Sequence, residues 1–166
     1  RMLSEDVIPV MWDDAFPSSH PVIVHNVTSA AEITSIFDSI TYSKGASILR
    51  MLEKIVGSET FRDGLRDYLM NNAFDVGDPT DFYNKLFTNI SGEDFMESWL
   101  EEQNYPLLHV HLRADENGTE ISFNQSRFII SNVLDTSNLN ESYRWQIQTQ
   151  CVLGGHRNDS ETIDFE

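Results

Sequence analysis

The apolar residues of this chain change their spacing once, and that change restricts the folds open to it. Over residues 41–56 the apolar side chains recur about every three to four positions, which predicts an amphipathic helix. Over residues 108–112 apolar and polar side chains alternate, which predicts a strand with one apolar face. The first part of the chain is therefore predicted to be helical and the second to be β, which gives an α+β fold class.

Capping residues divide the first part into separate helices. Gly57 is suited to end the helix over residues 41–56, and Ser58 is suited to cap the helix that follows. Asp78 before Pro79 predicts another helix start, because Asp is a favoured N-cap and Pro is favoured at the first helical position. The first part is thus expected to form several short helices.

The pair Asn117-Gly118 lies between two alternating segments of the second part and is typical of a hairpin turn. Residues 162–166 resemble a strand with no turn after it, and the chain opens without a start Met, so we expect a piece of a longer polypeptide. The change of spacing predicts two regions. Residues 1–104 are the helical part of one domain, and residues 105–166 are part of a β domain.

The charge of the chain excludes one class of partner. There are 27 Asp and Glu residues against 11 Lys and Arg, which gives a net charge of −16. A nucleic-acid-binding surface needs basic side chains that displace counterions, so we expect no nucleic acid partner. The same charge opposes adsorption to an anionic membrane surface.

Sequons for N-glycosylation are more frequent than chance. With 12 Asn and 27 Ser or Thr in 166 residues, about two Asn-x-Ser/Thr sequons are expected at random, and six occur. The candidate glycosylation sites are Asn26, Asn89, Asn117, Asn124, Asn140 and Asn158. The excess predicts an extracellular or cell-surface glycoprotein. The single cysteine, Cys151, is then either a buried free thiol in a strand or half of a disulfide to a segment outside this chain.

The sequence lacks the motifs of several hydrolase classes. It has no His-Glu-x-x-His zinc motif and no Gly-x-Ser-x-Gly elbow. His109 and His111 share one strand face, as two metal ligands could, but no third ligand has an evident position, so we interpret them as surface histidines. Ser43 and Lys44 do not suit a Ser–Lys dyad, because adjacent helical side chains point about 100° apart.

Tyr42 lies at the start of the helix predicted over residues 41–56, and its pattern alone indicates a packing residue. The sequence around it, however, resembles zinc aminopeptidases of the aminopeptidase N type. The matching blocks are Ser19-His20-Pro21, Glu32-Ile33, Phe37-Asp38, Ile40-Thr41-Tyr42-Ser43-Lys44-Gly45-Ala46-Ser47-Ile48-Leu49-Arg50-Met51-Leu52, Phe61-Arg62-Asp63-Gly64-Leu65 and Tyr68-Leu69. A looser resemblance continues through Trp99-Leu100 to Tyr105-Pro106-Leu107.

The resemblance implies a fold and a role for Tyr42. Residues 1–104 look like the helical C-terminal half of a thermolysin-like catalytic domain, and the remainder looks like the start of a β-sandwich domain. Tyr42 would donate its hydroxyl to the oxyanion of the tetrahedral intermediate, since a neutral phenol donates without adding charge. The zinc ligands, the general-base Glu and the motif that holds the substrate's free amine lie outside this chain in such enzymes. The chain alone is therefore expected to bind no catalytic zinc and to be inactive.

Three functions remain open at this point. The first is a zinc metallo-aminopeptidase, anchored at the plasma membrane, which removes N-terminal residues from peptides with a free N-terminus. In that case this chain works together with the remaining domains of the longer polypeptide, which bind the zinc. The second is a non-catalytic relative that keeps the scaffold as a receptor or binding protein. An intact Tyr42 favours the first, because a non-catalytic scaffold has no need of that hydroxyl. The third is an unrelated adhesion module, in which the Tyr42 block matches by chance.

Overall fold

The computed structural model describes residues 2–87, 92–115, 118–130, 143–152 and 160–165. In chain order, its elements are π1 (Leu3–Val7), α1 (Ile8–Asp14), α2 (Ala30–Ser35), π2 (Ile40–Lys44), α3 (Gly45–Val56), α4 (Ser58–Asn71), α5 (Pro79–Leu86), α6 (Gly92–Leu100), β1 (Tyr105–Asp115), β2 (Gly118–Phe128), β3 (Ile147–Val152) and β4 (Ser160–Phe165). Helices precede strands, which confirms the predicted α+β class.

The chain forms two compact units, each built from two segments. Unit 1 comprises residues 1–44 and 101–144, and unit 2 comprises residues 45–100 and 145–166. The division into domains at residue 104 stays a prediction. Within the described ranges, none of the helices combines the length and the apolar composition needed to cross a membrane.

In unit 1, the turns π1 and π2 pack against α1. The apolar residues Val10, Ala15 and Ile40 are buried there. The backbone amide of Ile130, which follows β2, donates to the carbonyl of Ala15 at 2.7 Å. The end of α1 is thereby joined to a segment more than a hundred residues later in the sequence.

Strands β1 and β2 of unit 1 pair antiparallel, from Tyr105 opposite Phe128 to Asp115 opposite Gly118. The rings of the first of these pairs stack with 5.1 Å between their centroids. The pairing ends at Asp115 and Gly118, and the predicted turn residue Asn117 lies outside the described residues. Strands β3 and β4 form a second antiparallel pair, in unit 2.

Unit 2 is held together by apolar side chains from four helices. Leu52 of α3 and Met96 of α6 have no exposed surface, and Phe82 of α5 is buried. The ring of Phe82 lies 5.7 Å from that of Phe61 and 5.6 Å from that of Tyr68, measured between centroids. Since Phe61 and Tyr68 both lie on α4, this aromatic cluster joins α4 to α5.

The helix predicted over residues 41–56 differs from the structure at its N-terminal end. Residues Ile40–Lys44 form π2, and the α-helix α3 begins only after it. On α3, Ile48 and Leu52 are buried, whereas Leu49 is 41% exposed. The covered face is therefore narrower than the apolar pattern predicts.

Of the three predicted helix-end residues, Gly57 and Asp78 are confirmed and Ser58 is wrong, since α3 ends at Val56, directly before Gly57. Asp78 caps α5, because its carboxylate accepts from the amide of Thr80 at 2.8 Å. Ser58 is instead the first residue of α4 and donates its hydroxyl to the carboxylate of Glu53 at 2.7 Å. Gly57 follows the last residue of α3, as predicted, and also takes the N-cap position of α4 with a φ of +87°, a conformation that favours glycine.

Candidate active site

Tyr42 lies in the middle of π2, on the surface of unit 1. Its side chain is 60% exposed, so it is not a core packing residue. Its ring lies 6.1 Å from that of Phe37, between centroids, at an angle of 48°. A π-helical turn is rare and often occurs at functional sites. The sequence pattern alone indicates a packing residue, whereas the structure shows a mostly exposed Tyr42.

The N-terminal end of π2 is held by Asp38. One oxygen of its carboxylate accepts from the amides of Ile40 at 2.9 Å and Thr41 at 3.1 Å. The backbone carbonyl of Asp38 accepts from the amide of Tyr42 at 3.1 Å. These bonds satisfy backbone donors that the first turn of a helix otherwise leaves without partners.

His20 positions the Asp38 carboxylate. Its Nε2 lies 2.9 Å from the second carboxylate oxygen of Asp38, and its Nδ1 lies 2.7 Å from the carbonyl of Pro21. Partial burial alone would raise the pKa of Asp38, but the hydrogen bond from His20 and the amides of Thr41 and Ile40 outweigh burial, and the pKa is lowered. The ionised carboxylate is therefore the form that fits this site.

The C-terminal end of π2 is held by a buried ion pair. Lys44 is 6% exposed and Asp14 is 2% exposed, and Nζ lies 2.9 Å from a carboxylate oxygen of Asp14. The same Nζ donates to the carbonyls of Asn104 at 2.8 Å and Glu102 at 3.2 Å. Burial lowers the pKa of Lys44, and the charge and hydrogen bond of Asp14 offset that effect only in part.

Asn104 connects this ion pair to strand β2. It has no exposed surface and a φ of +64°, which Asn tolerates better than most residues. Its side-chain amide donates to the carbonyls of Asp14 and Phe16. Its side-chain oxygen accepts from Nε of Arg127 at 2.6 Å, and Arg127 also donates to Gln103 at 2.9 Å. The residue that marked the predicted boundary is thus part of a buried polar network.

The described residues do not provide a zinc site. In the ranges described by the structure, no group of three or more His, Cys, Asp or Glu side chains could hold a metal ion. His109 and His111 are exposed on β1, and Nε2 of His109 lies 3.0 Å from the hydroxyl of Ser126. His25 lies instead 3.0 Å from a carboxylate oxygen of Glu101.

The candidate glycosylation sites divide into two groups. Asn26 and Asn124 are described and exposed, the first in a turn with a φ of +60° and the second on β2. The other four candidate sites, Asn89, Asn117, Asn140 and Asn158, lie outside the described residues. Cys151 lies on β3, opposite Glu161 on β4. That strand position agrees with the predicted strand, and the side chain of Cys151 lies outside the described residues.

Sequence reasoning missed three residues of this site. Asp14, Lys44 and Asn104 lie far apart along the chain, and no spacing pattern connects them. Lys44 belongs to the block that resembles the aminopeptidases and follows Ser43, but neither feature indicates its observed partner, Asp14. A buried polar contact between distant segments has no signature in a single sequence.

The helical part of the chain and the Tyr42 site agree with one class of protein. Residues 1–99 match the family model of the peptidase family M1 domain. This chain belongs to peptidase family M1. That membership confirms the resemblance drawn from the blocks around Tyr42.

Curated relatives extend the match beyond the family domain. The chain is 40% identical to aminopeptidase A of Gloydius brevicauda over 159 residues, which cover 93% of this chain and 16% of that protein. It is 42% identical to glutamyl aminopeptidase of Homo sapiens over 132 residues, which cover 78% of this chain and 13% of that protein. It is 36% identical to the probable aminopeptidase 1 of Saccharolobus solfataricus over 147 residues, which cover 87% of this chain and 18% of that protein. The chain spans about a sixth of the length of the first of these relatives.

The pH dependence of stability should report the Asp38 anchor. Folding lowers the pKa of Asp38 from its ordinary value of 3.8, so the ionised group stabilises the folded state above that pH. This contribution is lost as the pH falls through the lower folded-state pKa. We expect Asp38→Asn to lower the thermal midpoint of the full-length protein at neutral pH, and the difference from wild type to shrink well below pH 3.8.

Thermal unfolding of both proteins in a chelating buffer checks this, because any bound metal ion is then removed at every pH and affects neither midpoint. A difference in midpoint that keeps its full size in acid would contradict the role given to the Asp38 carboxylate.

Proposed function

We propose that the full-length protein containing this chain is a zinc metallo-aminopeptidase that removes N-terminal residues from peptides with a free N-terminus. Family membership and the aminopeptidase names of three relatives support this. The observation that carries the proposal is Tyr42, exposed on a π-helical turn that is held at both ends. Several relatives are named glutamyl aminopeptidases, so we propose N-terminal glutamate as the first substrate to test.

Tyr42 would act as the oxyanion donor. When amide hydrolysis reaches its tetrahedral intermediate, the former carbonyl oxygen carries negative charge and needs a hydrogen-bond donor. The phenol of Tyr42 can donate without bringing a charge of its own. Such a donor typically contributes ~10²–10³ in rate, or about 3–4 kcal/mol of transition-state stabilisation.

The remaining catalytic parts are proposed to lie in other segments of the full-length protein. Zinc held by those other segments would supply an activated water for attack on the peptide bond. Because the sequence has no His-Glu-x-x-His motif, and such enzymes carry their zinc ligands upstream of the segment that this chain resembles, we propose that the ligands lie outside this chain. Tyr42 is thus the one residue of this chain to which we assign direct contact with the reacting atoms.

Tyr42→Phe in the zinc-loaded full-length protein tests the role of Tyr42. We expect kcat to fall by on the order of 10²–10³ on aminoacyl amides with KM little changed, because the hydroxyl acts on the transition state. Tyr68→Phe is the matched control, since it removes a phenol hydroxyl from a ring packed on Phe82. The control should keep wild-type kcat.

Two results would contradict the proposal in different ways. Equal activity of wild type and Tyr42→Phe would leave an aminopeptidase in which Tyr42 has another role. A folded, zinc-loaded wild type that hydrolyses none of the amides in the panel would favour the non-catalytic scaffold, a receptor or binding protein.

The isolated 166-residue chain is proposed to be inactive. We expect no chelator-sensitive hydrolysis of glutamyl or other aminoacyl amides when zinc is added to the purified chain, because the ligands are assigned elsewhere. The full-length protein in the same buffer is the positive control. Zinc-dependent turnover by the isolated chain would show that it holds a complete catalytic site.

We further propose that the full-length protein is a glycoprotein, located outside the cell or anchored at the plasma membrane. The excess of sequons supports this, as does the exposure of Asn26 and Asn124, the two candidate sites that the structure describes. An oligosaccharide needs an exposed acceptor, and both positions meet that requirement.

Expression through the secretory pathway of an animal cell tests the glycoprotein proposal. We expect Asn26→Gln and Asn124→Gln each to reduce the mass of the secreted protein by one glycan. Asn71→Gln is the matched control, because Asn71 is exposed on α4 outside any sequon. A wild-type protein whose mass does not change on treatment with an N-glycan-releasing enzyme would contradict the proposal.

A further inference from the structure

Within this chain, the ring of Tyr42 is not held in place by burial. Its side chain is 60% exposed, and the neighbouring Phe37 is itself 63% exposed. A side chain with so little packing takes its position chiefly from the backbone that carries it. That backbone is π2, so the contacts that hold π2 also hold the Tyr42 hydroxyl.

Lys44 fixes the C-terminal end of π2, two residues after Tyr42. An ammonium group has three N–H donors, and the three acceptors of Lys44 are the Asp14 carboxylate and the carbonyls of Asn104 and Glu102. The contact distances run from 2.8 to 3.2 Å. Displacement of π2 would leave a buried charge without its partners, which is strongly unfavourable.

Asp14 is a fixed partner for Lys44, because its other oxygen is also engaged. That oxygen accepts from the hydroxyl of Ser19 at 2.5 Å and from the backbone amide of Asn104 at 3.1 Å. Asp14 ends α1, and Asn104 directly precedes β1. The ion pair thus ties π2 to two segments that lie elsewhere in the sequence of unit 1.

A buried ion pair seldom stabilises a fold more than apolar residues of similar size would. The charged pair is explained if its role is to fix the backbone of π2, because Lys44 lies only two residues from the exposed Tyr42. We infer that Lys44 and Asp14 are positioning residues, which hold π2 so that the Tyr42 hydroxyl meets the developing oxyanion. This inference rests on the proposed function, because the pair acts on the reaction only through that hydroxyl.

The test compares Lys44→Met in two backgrounds of the zinc-loaded full-length protein, wild type and Tyr42→Phe. In the wild-type background we expect kcat to fall by about 10- to 100-fold with KM little changed, because a small displacement of a catalytic group is costly. In the Tyr42→Phe background we expect no further loss, since there is no hydroxyl left to position. Lys54→Met, an exposed lysine on α3, is the matched control and should keep wild-type kcat.

The same experiment separates the possible failures. An equal fold-loss from Lys44→Met in both backgrounds would identify a merely structural role and overturn the inference, as would an unchanged kcat. If Tyr42→Phe alone leaves kcat unchanged, the oxyanion role in the proposed function fails first. Zinc content and the thermal midpoint verify folding. If Lys44→Met does not fold, Asp14→Asn replaces it in the same two backgrounds. We then expect kcat to fall in the wild-type background and to stay unchanged in the Tyr42→Phe background.

Discussion

The ion pair between Lys44 and Asp14 links the segments from which unit 1 is built. Asp14 ends α1, Lys44 ends π2, and Asn104 joins both to the start of β1. Taking two charges out of water is expensive, and the cost is offset only when every donor and acceptor finds a partner. In this network Lys44 and the Asp14 carboxylate meet that condition, so the segments have little freedom to move independently.

The site proposed for catalysis depends on this arrangement. Tyr42 lies between two anchors, the Asp38 carboxylate at the start of π2 and Lys44 at its end. An oxyanion donor is effective when it is already in position before charge develops, because no reorganisation is then needed. In this chain the Tyr42 side chain is exposed and its backbone is anchored at both ends of π2, which agrees with the proposed role.

Unit 2 is held in a different way. Its helices meet through apolar and aromatic contacts, such as those of Phe82 with Phe61 and Tyr68, and through the buried Leu52 and Met96. These contacts are non-directional and tolerate small shifts. Unit 1 instead uses directional hydrogen bonds around charged groups. The residue assigned to catalysis belongs to unit 1, which contains the buried ion pair.

The sequence by itself determined the α+β class, the N-cap at Asp78 and the strand β1 with its alternating apolar and polar residues. These features follow from local spacing and capping. It also singled out Tyr42, through the block that the family shares. Only the tertiary structure revealed the π-helical turn and the network of Asp14, Lys44 and Asn104. Local patterns report a residue's neighbours within a turn or two, whereas a buried ion pair depends on which distant segments meet, and that is decided by the fold.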